Sequence, residues 1–301
     1  MTLDPVAKNG SIRLRRLRDR DARRLIFLKG KSMSSNVKLD LDSAQLAEQY
    51  DRLGARQFHH GLCLLDALDV GSGDAVLDIG CGTGLLTEAA ALRAGTNGEV
   101  LGIDPLPLRV ERARQRAQGR FKASVGRAEE LNDLPDAHYD VVYLNSVIHW
   151  VADQPSALQH GFRVLKPGGR VGFTTMAKDV PHDLHLVLRE LINSDPAWQQ
   201  ASVGAPNQLT RDQTASLLTG AGFDVTLNEI REFDDAFASA DDVITFSQAS
   251  SFGNFLSSLP DRELNRLRQR LGDALEARRG PRGIELTRRL IFATGRKPLT
   301  Q

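Results

Sequence analysis

The stretch Val76-Leu77-Asp78-Ile79-Gly80-Cys81-Gly82-Thr83-Gly84 constrains this chain more than any other. An apolar run enters an acid and then a G-x-G-x-G turn, and residues 85–93 follow with helical character. A strand that ends in glycines and feeds a helix can bring bare backbone N–H groups against a ligand. The spacing differs from the dinucleotide G-x-G-x-x-G, because Leu85 stands where that motif has its third glycine. Asp78, ahead of the turn, would repel a pyrophosphate and can attract the ammonium of an amino-acid-like ligand. Cys81 fills the loop as a small apolar residue.

Strands and helices alternate after the loop. Strands are expected over residues 75–79, 99–104, 121–125, 139–145 and 170–175, with helices over 85–93, 108–118 and 154–165. Short apolar strands separated by helices imply a doubly wound, mostly parallel α/β sheet. Ligands of such sheets bind at the carboxyl ends of the strands, near the switch point. Residues 42–70 read as one or two amphipathic helices, capped by Asp42 or Ser43. Past Met176 helices are expected over 184–192 and 214–221, and strands over 223–233 and 290–295. The residues between those two strands carry helical patterns at 241–246 and 264–277.

Gly102-Ile103-Asp104 ends the second strand about 20 residues after the loop, where a carboxylate can accept both ribose hydroxyls. A helix N-cap at Asp104, with Pro105 at the first helical position, is the structural alternative. Gly126-Arg127-Ala128-Glu129-Glu130-Leu131 follows the third strand. Tyr139-Asp140-Val141-Val142-Tyr143-Leu144-Asn145-Ser146 is the fourth strand and its exit, and Arg163-Val164-Leu165-Lys166-Pro167-Gly168-Gly169 precedes the fifth.

These four features, in this order after D-x-G-x-G-x-G, resemble class I S-adenosylmethionine-dependent methyltransferases. Within that family they look most like the quinone C-methyltransferase and small-molecule branch. The resemblance implies a seven-stranded Rossmann-like sheet whose last two strands form an antiparallel hairpin. It implies S-adenosylmethionine as cofactor, held by Asp78, Gly80, Cys81, Gly82, Gly84, Asp104 and Pro105. Asn145 and Ser146 fall beside the methyl sulfonium, and Tyr50, in the helix that folds over the cofactor, can reach its carboxylate. Arg127 occupies the place of the family's adenine-binding acid, so the backbone at Ala128 or the carboxylate of Glu129 is expected to substitute.

The domain reading is a basic, disordered extension over 1–35 and one methyltransferase domain over 36–301. That domain divides into a helical cap (36–72), a cofactor core (73–176) and a C-terminal half (177–301). An insertion over 236–286 reads as a substrate lid.

Methyl transfer from an activated donor needs positioning above all. An alcohol, amine or enolisable carbon also profits from a base, and His149, a few residues past the fourth strand, is the candidate. A structural histidine is the alternative. His59 and His60 point about 100° apart on a helix, so one of them can face a pocket. Trp150 reads as an apolar wall of the acceptor site or as a core aromatic.

The acceptor is expected to be a small, mostly apolar metabolite methylated on O, S or C. Residues 1–31 hold ten Lys/Arg and three Asp within a chain of net charge +1, which leaves the remainder mildly acidic and argues against nucleic acid as partner. The N/D-P-P-Y/F turn of base-amine methyltransferases is replaced by Asn145-Ser146-Val147-Ile148. A macromolecular acceptor docked by the basic arm and a non-catalytic S-adenosylmethionine-binding protein are the alternatives. Cys63 and Cys81 lack metal-ligand or disulfide-framework spacing, and no apolar run can span a bilayer. A cytoplasmic protein without a metal is expected.

Overall fold

A computed structural model describes residues 37–201, 203 and 205–299 of the 301-residue chain. The basic extension read over residues 1–35 lies outside the described residues. From residue 37 on the chain belongs to one compact unit. It opens with α1 (Ala44–Leu53) and α2 (Ala55–Ala67). Ser43, not Asp42, caps α1, accepting from the Leu46 N–H at 3.2 Å.

The alternation follows as β1 (Ala75–Ile79), α3 (Leu85–Ala94), β2 (Glu99–Asp104), α4 (Pro107–Ala117), β3 (Lys122–Val125), β4 (Tyr139–Asn145), α5 (Gln154–Val164) and β5 (Leu165–Met176). Then come α6 (Asp183–Ser194), α7 (Arg211–Gly220), β6 (Asp224–Phe237), α8 (Ala240–Ser250), α9 (Asp261–Glu276), β7 (Arg279–Gly280) and β8 (Gly283–Arg296). The sheet order is β3-β2-β1-β4-β5-β8-β6, so seven strands lie on the main path. β7 is a two-residue pairing with the start of β8. The pairs among β1 to β5 are parallel, while β8 runs antiparallel to both β5 and β6. This is the expected doubly wound α/β sheet. β1 and β4 are neighbours, with β2 and β3 to one side and β5 to the other. The carboxyl ends of β1 and β4 therefore form the switch point.

Both faces of the sheet are apolar, because crossover helices cover them. One core gathers Leu77, Val142, Leu144, Phe173 and Ile291; the other gathers Leu64, Val76, Tyr143 and Phe292. Lys166-Pro167-Gly168-Gly169 does not precede β5 but bulges within it. Tyr139 pairs with Leu165, and two residues on Val141 pairs with Arg170.

β6 and β8 are longer than the sequence pattern implies. β5 covers β8 only from Leu290 to Arg296, whereas β6 stays paired out to Phe237 opposite Ile284. The overhanging ribbon carries α8 and α9 at its end. There a third core forms from Leu267, Leu271 and Leu275 of α9 against Val187, Leu188, Phe237 and Phe246. Among the described residues no helix is long and apolar enough to cross a membrane.

Candidate active site

The glycine loop leaves β1 with Gly80, Gly82 and Gly84 all at positive φ (79°, 54° and 84°). The amides of Gly80, Cys81, Gly82 and Gly84 are not bare. Gly80 and Cys81 both donate to the Ile103 carbonyl (2.7 and 2.9 Å), and Gly82 donates to Asp104 Oδ2 (2.9 Å). Gly84 closes back on the Cys81 carbonyl at 3.0 Å. The loop is fastened to β2, which corrects the expectation of free N–H donors. Its glycines serve close approach instead. A Cβ on Gly80 would fall 2.2 Å from Val147, and one on Gly84 about 3.0 Å from Phe121 in the packing between α3 and α4. A Cβ on Gly82 would meet nothing nearer than Tyr50 at 3.8 Å.

Asp104 is 6 % exposed at the end of β2. One oxygen accepts from Gly82 and the other from the Leu106 N–H at 2.9 Å, leaving each with spare acceptor capacity. It is not the N-cap of α4. Leu106 holds that place and Pro107, not Pro105, starts the helix. The chain thus stays extended two residues longer and lays Pro105 along the cavity. Burial raises the Asp104 pKa.

A cavity of about 990 Å³ lies against the loop. Of the expected cofactor residues it is lined by Tyr50, Gly80, Gly82, Asp104, Pro105, Ala128, Glu129, Asn145 and Ser146. Asp78 and Cys81 line an adjoining cavity of about 360 Å³, together with Tyr50, Gln57, Gly80 and Asn145. Gly84 borders neither. Asp78 is 2 % exposed and accepts from Thr87 Oγ1 at 2.6 Å, and burial lifts its pKa to about 7. Burial likewise pushes the Cys81 thiol up and holds Tyr50 at about 12, so the phenol keeps its proton. Glu129 accepts from the Ala152 N–H at 3.0 Å, with exposed Arg127 beside it. Asn145 is spent on the protein: Oδ1 accepts from Thr174 Oγ1 (2.7 Å) and Nδ2 donates to the Gln57 carbonyl (3.2 Å).

A second cavity, of about 850 Å³, shares Gln57, Ser146, Trp150 and Ser250 with the first. Its wall is largely apolar, with Leu184, Phe237, Phe246, Phe255 and Leu290. Three histidines, His149, His182 and His185, also line it. His149 therefore borders the second cavity and not the first. Its Nδ1 is 2.9 Å from Thr175 Oγ1, and burial, with His185 nearby, lowers its pKa to about 3. The expectation of a histidine titrating near neutrality is corrected: desolvation holds the ring neutral and makes it a weak proton acceptor. Trp150 forms the wall between the cavities and meets Phe252 edge-on at 4.8 Å.

Gln57 and Arg288 were not legible as site residues, and the sequence left open which of His59 and His60 faces a pocket. Gln57 borders all three cavities, and its Oε1 is buried with no hydrogen-bond partner among the described residues. Of the adjacent pair it is His60 that is buried, placed 3.0 Å from Ser146 Oγ. Arg288, from the overhanging part of β8, is 3.0 Å from the other ring nitrogen of His60. Among the described residues no three His, Cys, Asp or Glu side chains are grouped to hold a metal ion.

Residues 77–173 match a family model described as a methyltransferase domain. The malonyl-[acyl-carrier protein] O-methyltransferase of Serratia marcescens is 34 % identical over 176 residues, 57 % of this chain and 63 % of that protein. The aklanonic acid methyltransferase DauC of a Streptomyces species is 34 % identical over 135 residues, 44 % of this chain and 61 % of its own length. The chain thus spans less than two thirds of the curated relatives it matches first. The YcgJ protein of Bacillus subtilis superposes with a TM-score of 0.55 at 19 % identity, over 80 % of this chain and 99 % of that one, a likeness of fold. The matched segment holds the glycine loop, Asp104 and the switch point. Over residues 77–173 the chain therefore matches a methyltransferase domain, and it resembles the class I S-adenosylmethionine-dependent methyltransferases of the small-molecule branch.

Proposed function

We propose that this protein transfers the methyl group of S-adenosylmethionine to a small, mostly apolar metabolite seated in the second cavity. The carrying observation is the junction at Gln57, Ser146, Trp150 and Ser250, where a cavity against the glycine loop shares its wall with an apolar one. The residues present fit the cofactor. Gly82 offers a face free of side chains, and the orphaned Gln57 Oε1 is a buried acceptor that calls for a donor or a positive charge.

In this reading the spare lone pairs of Asp104 take the ribose hydroxyls. Pro105, Ala128 and Glu129 border the adenine, and Asp78 and Tyr50 face the amino-acid head. Gln57 and Ser146 stand beside the sulfonium. When bound, S-adenosylmethionine supplies an electrophilic methyl group. The chain aligns the acceptor for in-line displacement and keeps water away with Trp150, Phe252 and the wall from α8. The curated relatives are named for acting on malonyl-[acyl-carrier protein] and aklanonic acid, which supports an acceptor carrying a small acyl or acid group.

Two measurements test this. Calorimetric titration should show S-adenosylmethionine binding that weakens by about tenfold or more in Asp104→Ala, since a buried charge-assisted pair is lost. Unchanged affinity would sink the ribose assignment. Labelled methyl transferred into a cell lysate should then appear in the small-molecule fraction; label in protein or nucleic acid would overturn the acceptor class.

A further inference from the structure

The junction between the two cavities contains a chain of hydrogen bonds whose direction is fixed by chemistry. Arg288 is held by the Asp235 carboxylate, its Nη2 at 3.2 Å from Oδ1 and its Nε on the other oxygen. The Arg288 Nη1 lies 3.0 Å from His60 Nδ1. A guanidinium can only donate, so Nδ1 accepts, and the neutral ring carries its proton on Nε2. That Nε2–H donates to Ser146 Oγ at 3.0 Å. His60 stays neutral because it is fully buried beside a cation. Ser146 Oγ is thus already an acceptor, and its own proton is bonded to no group among the described residues.

The backbone holds Ser146 at this place. Its N–H donates to Thr174 Oγ1 (2.9 Å) and to the Thr174 carbonyl (3.2 Å). Its φ of 60° is a left-handed conformation that costs a non-glycine residue energy. A donor backed by a cation, in a strained and anchored position, is aimed at the wall common to both cavities.

The remaining polar groups of the second cavity offer no base to match it. Asp235 is neutralised by Arg288 and faced by Arg56 at 3.8 Å. His182 Nδ1 accepts from the Arg289 N–H at 2.9 Å, so its proton too sits on Nε2. His149 and His185 are held neutral, with pKa values of about 3 and 4. An acceptor for this cavity has to arrive with its nucleophilic lone pair already free and its negative charge welcomed by donors.

We propose that the methyl acceptor is a carboxylate on an apolar body, held through one oxygen by the Ser146 hydroxyl at the end of the Asp235–Arg288–His60 chain, and that the product is its methyl ester. This rests on the methyl-transfer reading above. The second carboxylate oxygen attacks: a bond forms between that oxygen and the methyl carbon while the carbon–sulfur bond breaks. The electron pair goes to sulfur. No proton moves, so the cavity needs no base. Ser146 binds the acceptor, and His60 and Arg288 are positioning residues.

The test compares 1-naphthoate with its neutral counterpart 1-naphthalenemethanol by calorimetric titration, with and without S-adenosylhomocysteine. Wild type should bind the carboxylate about tenfold more tightly than the alcohol, the scale of one charge-assisted hydrogen bond. Ser146→Ala and Ser146→Gly, the second compatible with the positive φ, should both bring the ratio to about one. S-adenosylhomocysteine must still bind each variant, which shows that the fold is intact. His60→Leu should lose the preference and His60→Gln, which keeps an amide donor toward Ser146, should retain most of it. Equal binding of the two probes, binding of neither, or a preference that survives both Ser146 variants would overturn the proposal. Failure of S-adenosylhomocysteine to bind wild type would instead overturn the cofactor reading, and the carboxylate ratio measured without it would still decide the cavity's chemistry.

Discussion

Asp78 is a buried carboxyl whose ordinary pKa of 3.8 is lifted to about 7 by desolvation, against the pull of its Thr87 hydrogen bond. An ammonium placed beside it favours the ionised form, so ligand binding below pH 7 must release a proton. The affinity for S-adenosylhomocysteine should therefore rise with pH between 5 and 7, by up to about tenfold per unit, and Asp78→Asn should flatten the profile. Titration at stepped pH checks this, and a wild-type profile flat over that range would remove Asp78 from the ligand. Asp78, Gly82 and Asp104 were legible in the sequence because each is fixed by its distance from the glycine turn. The meeting of His60 and Arg288 was not. They lie 228 residues apart and meet only because the ribbon of β6 and β8 overhangs the sheet. The capacity of His149 to take a proton was misread for a related reason: its residue type is visible in a sequence, but its desolvation is a property of the packed molecule.

At the scale of elements, the side chain of Arg109 ties the cap to the insertion. Arg109 of α4 is buried, 3.0 Å from Asp42 ahead of α1 and 2.7 Å from the Ala249 carbonyl of α8. Its guanidinium also lies over the rings of Tyr50 and Phe252, at 5.0 and 5.9 Å. The neighbouring Asn254 side chain fixes both the N–H and the carbonyl of Lys38. Arg109→Leu would strand the buried Asp42 carboxylate, at a cost of about 3 kcal/mol or more. Hydrogen exchange should quicken in residues 37–43 and 247–255 while the amides of β1, β4 and β5 keep their protection. A uniform rise across the sheet, or no change, would refute this local coupling. The alternating strands and helices were readable from periodicity because each crossover obeys a local pattern. The extra length of β6 was hidden because Asp234 and Asp235, close after Glu232, break the apolar strand pattern where the expected strand ends at residue 233. Paired across the ribbon with Arg288, Arg289 and Thr287, those acids instead hold it together.

For the whole molecule, the buried ionisable groups set an acid limit. His60, His149, His182 and His185 are all neutral when folded, with pKa values below the ordinary 6.5. The unfolded chain then binds more protons than the folded one below pH 6.5, so the stability these residues contribute is present above that pH and lost as pH falls. At pH 5, His149 and His185, with folded values of about 3 and 4, should each cost about 2 kcal/mol relative to neutral pH. Asp78 acts in the opposite sense. Its raised pKa means the folded form holds a proton that the unfolded form has released, and descent from pH 7 to 5 returns about 2 kcal/mol. Asp104 adds to that return, and His60 and His182 add to the loss. With four imidazoles against two carboxyls, the unliganded protein should be less stable at pH 5 than at pH 7.5. Urea unfolding at both values checks this, and His149→Gln or His185→Gln should each remove about 2 kcal/mol of the difference. Equal stability at the two pH values would show that the imidazoles lining the second cavity reach water in solution, and the picture of a dry acceptor site without a base would fall with it.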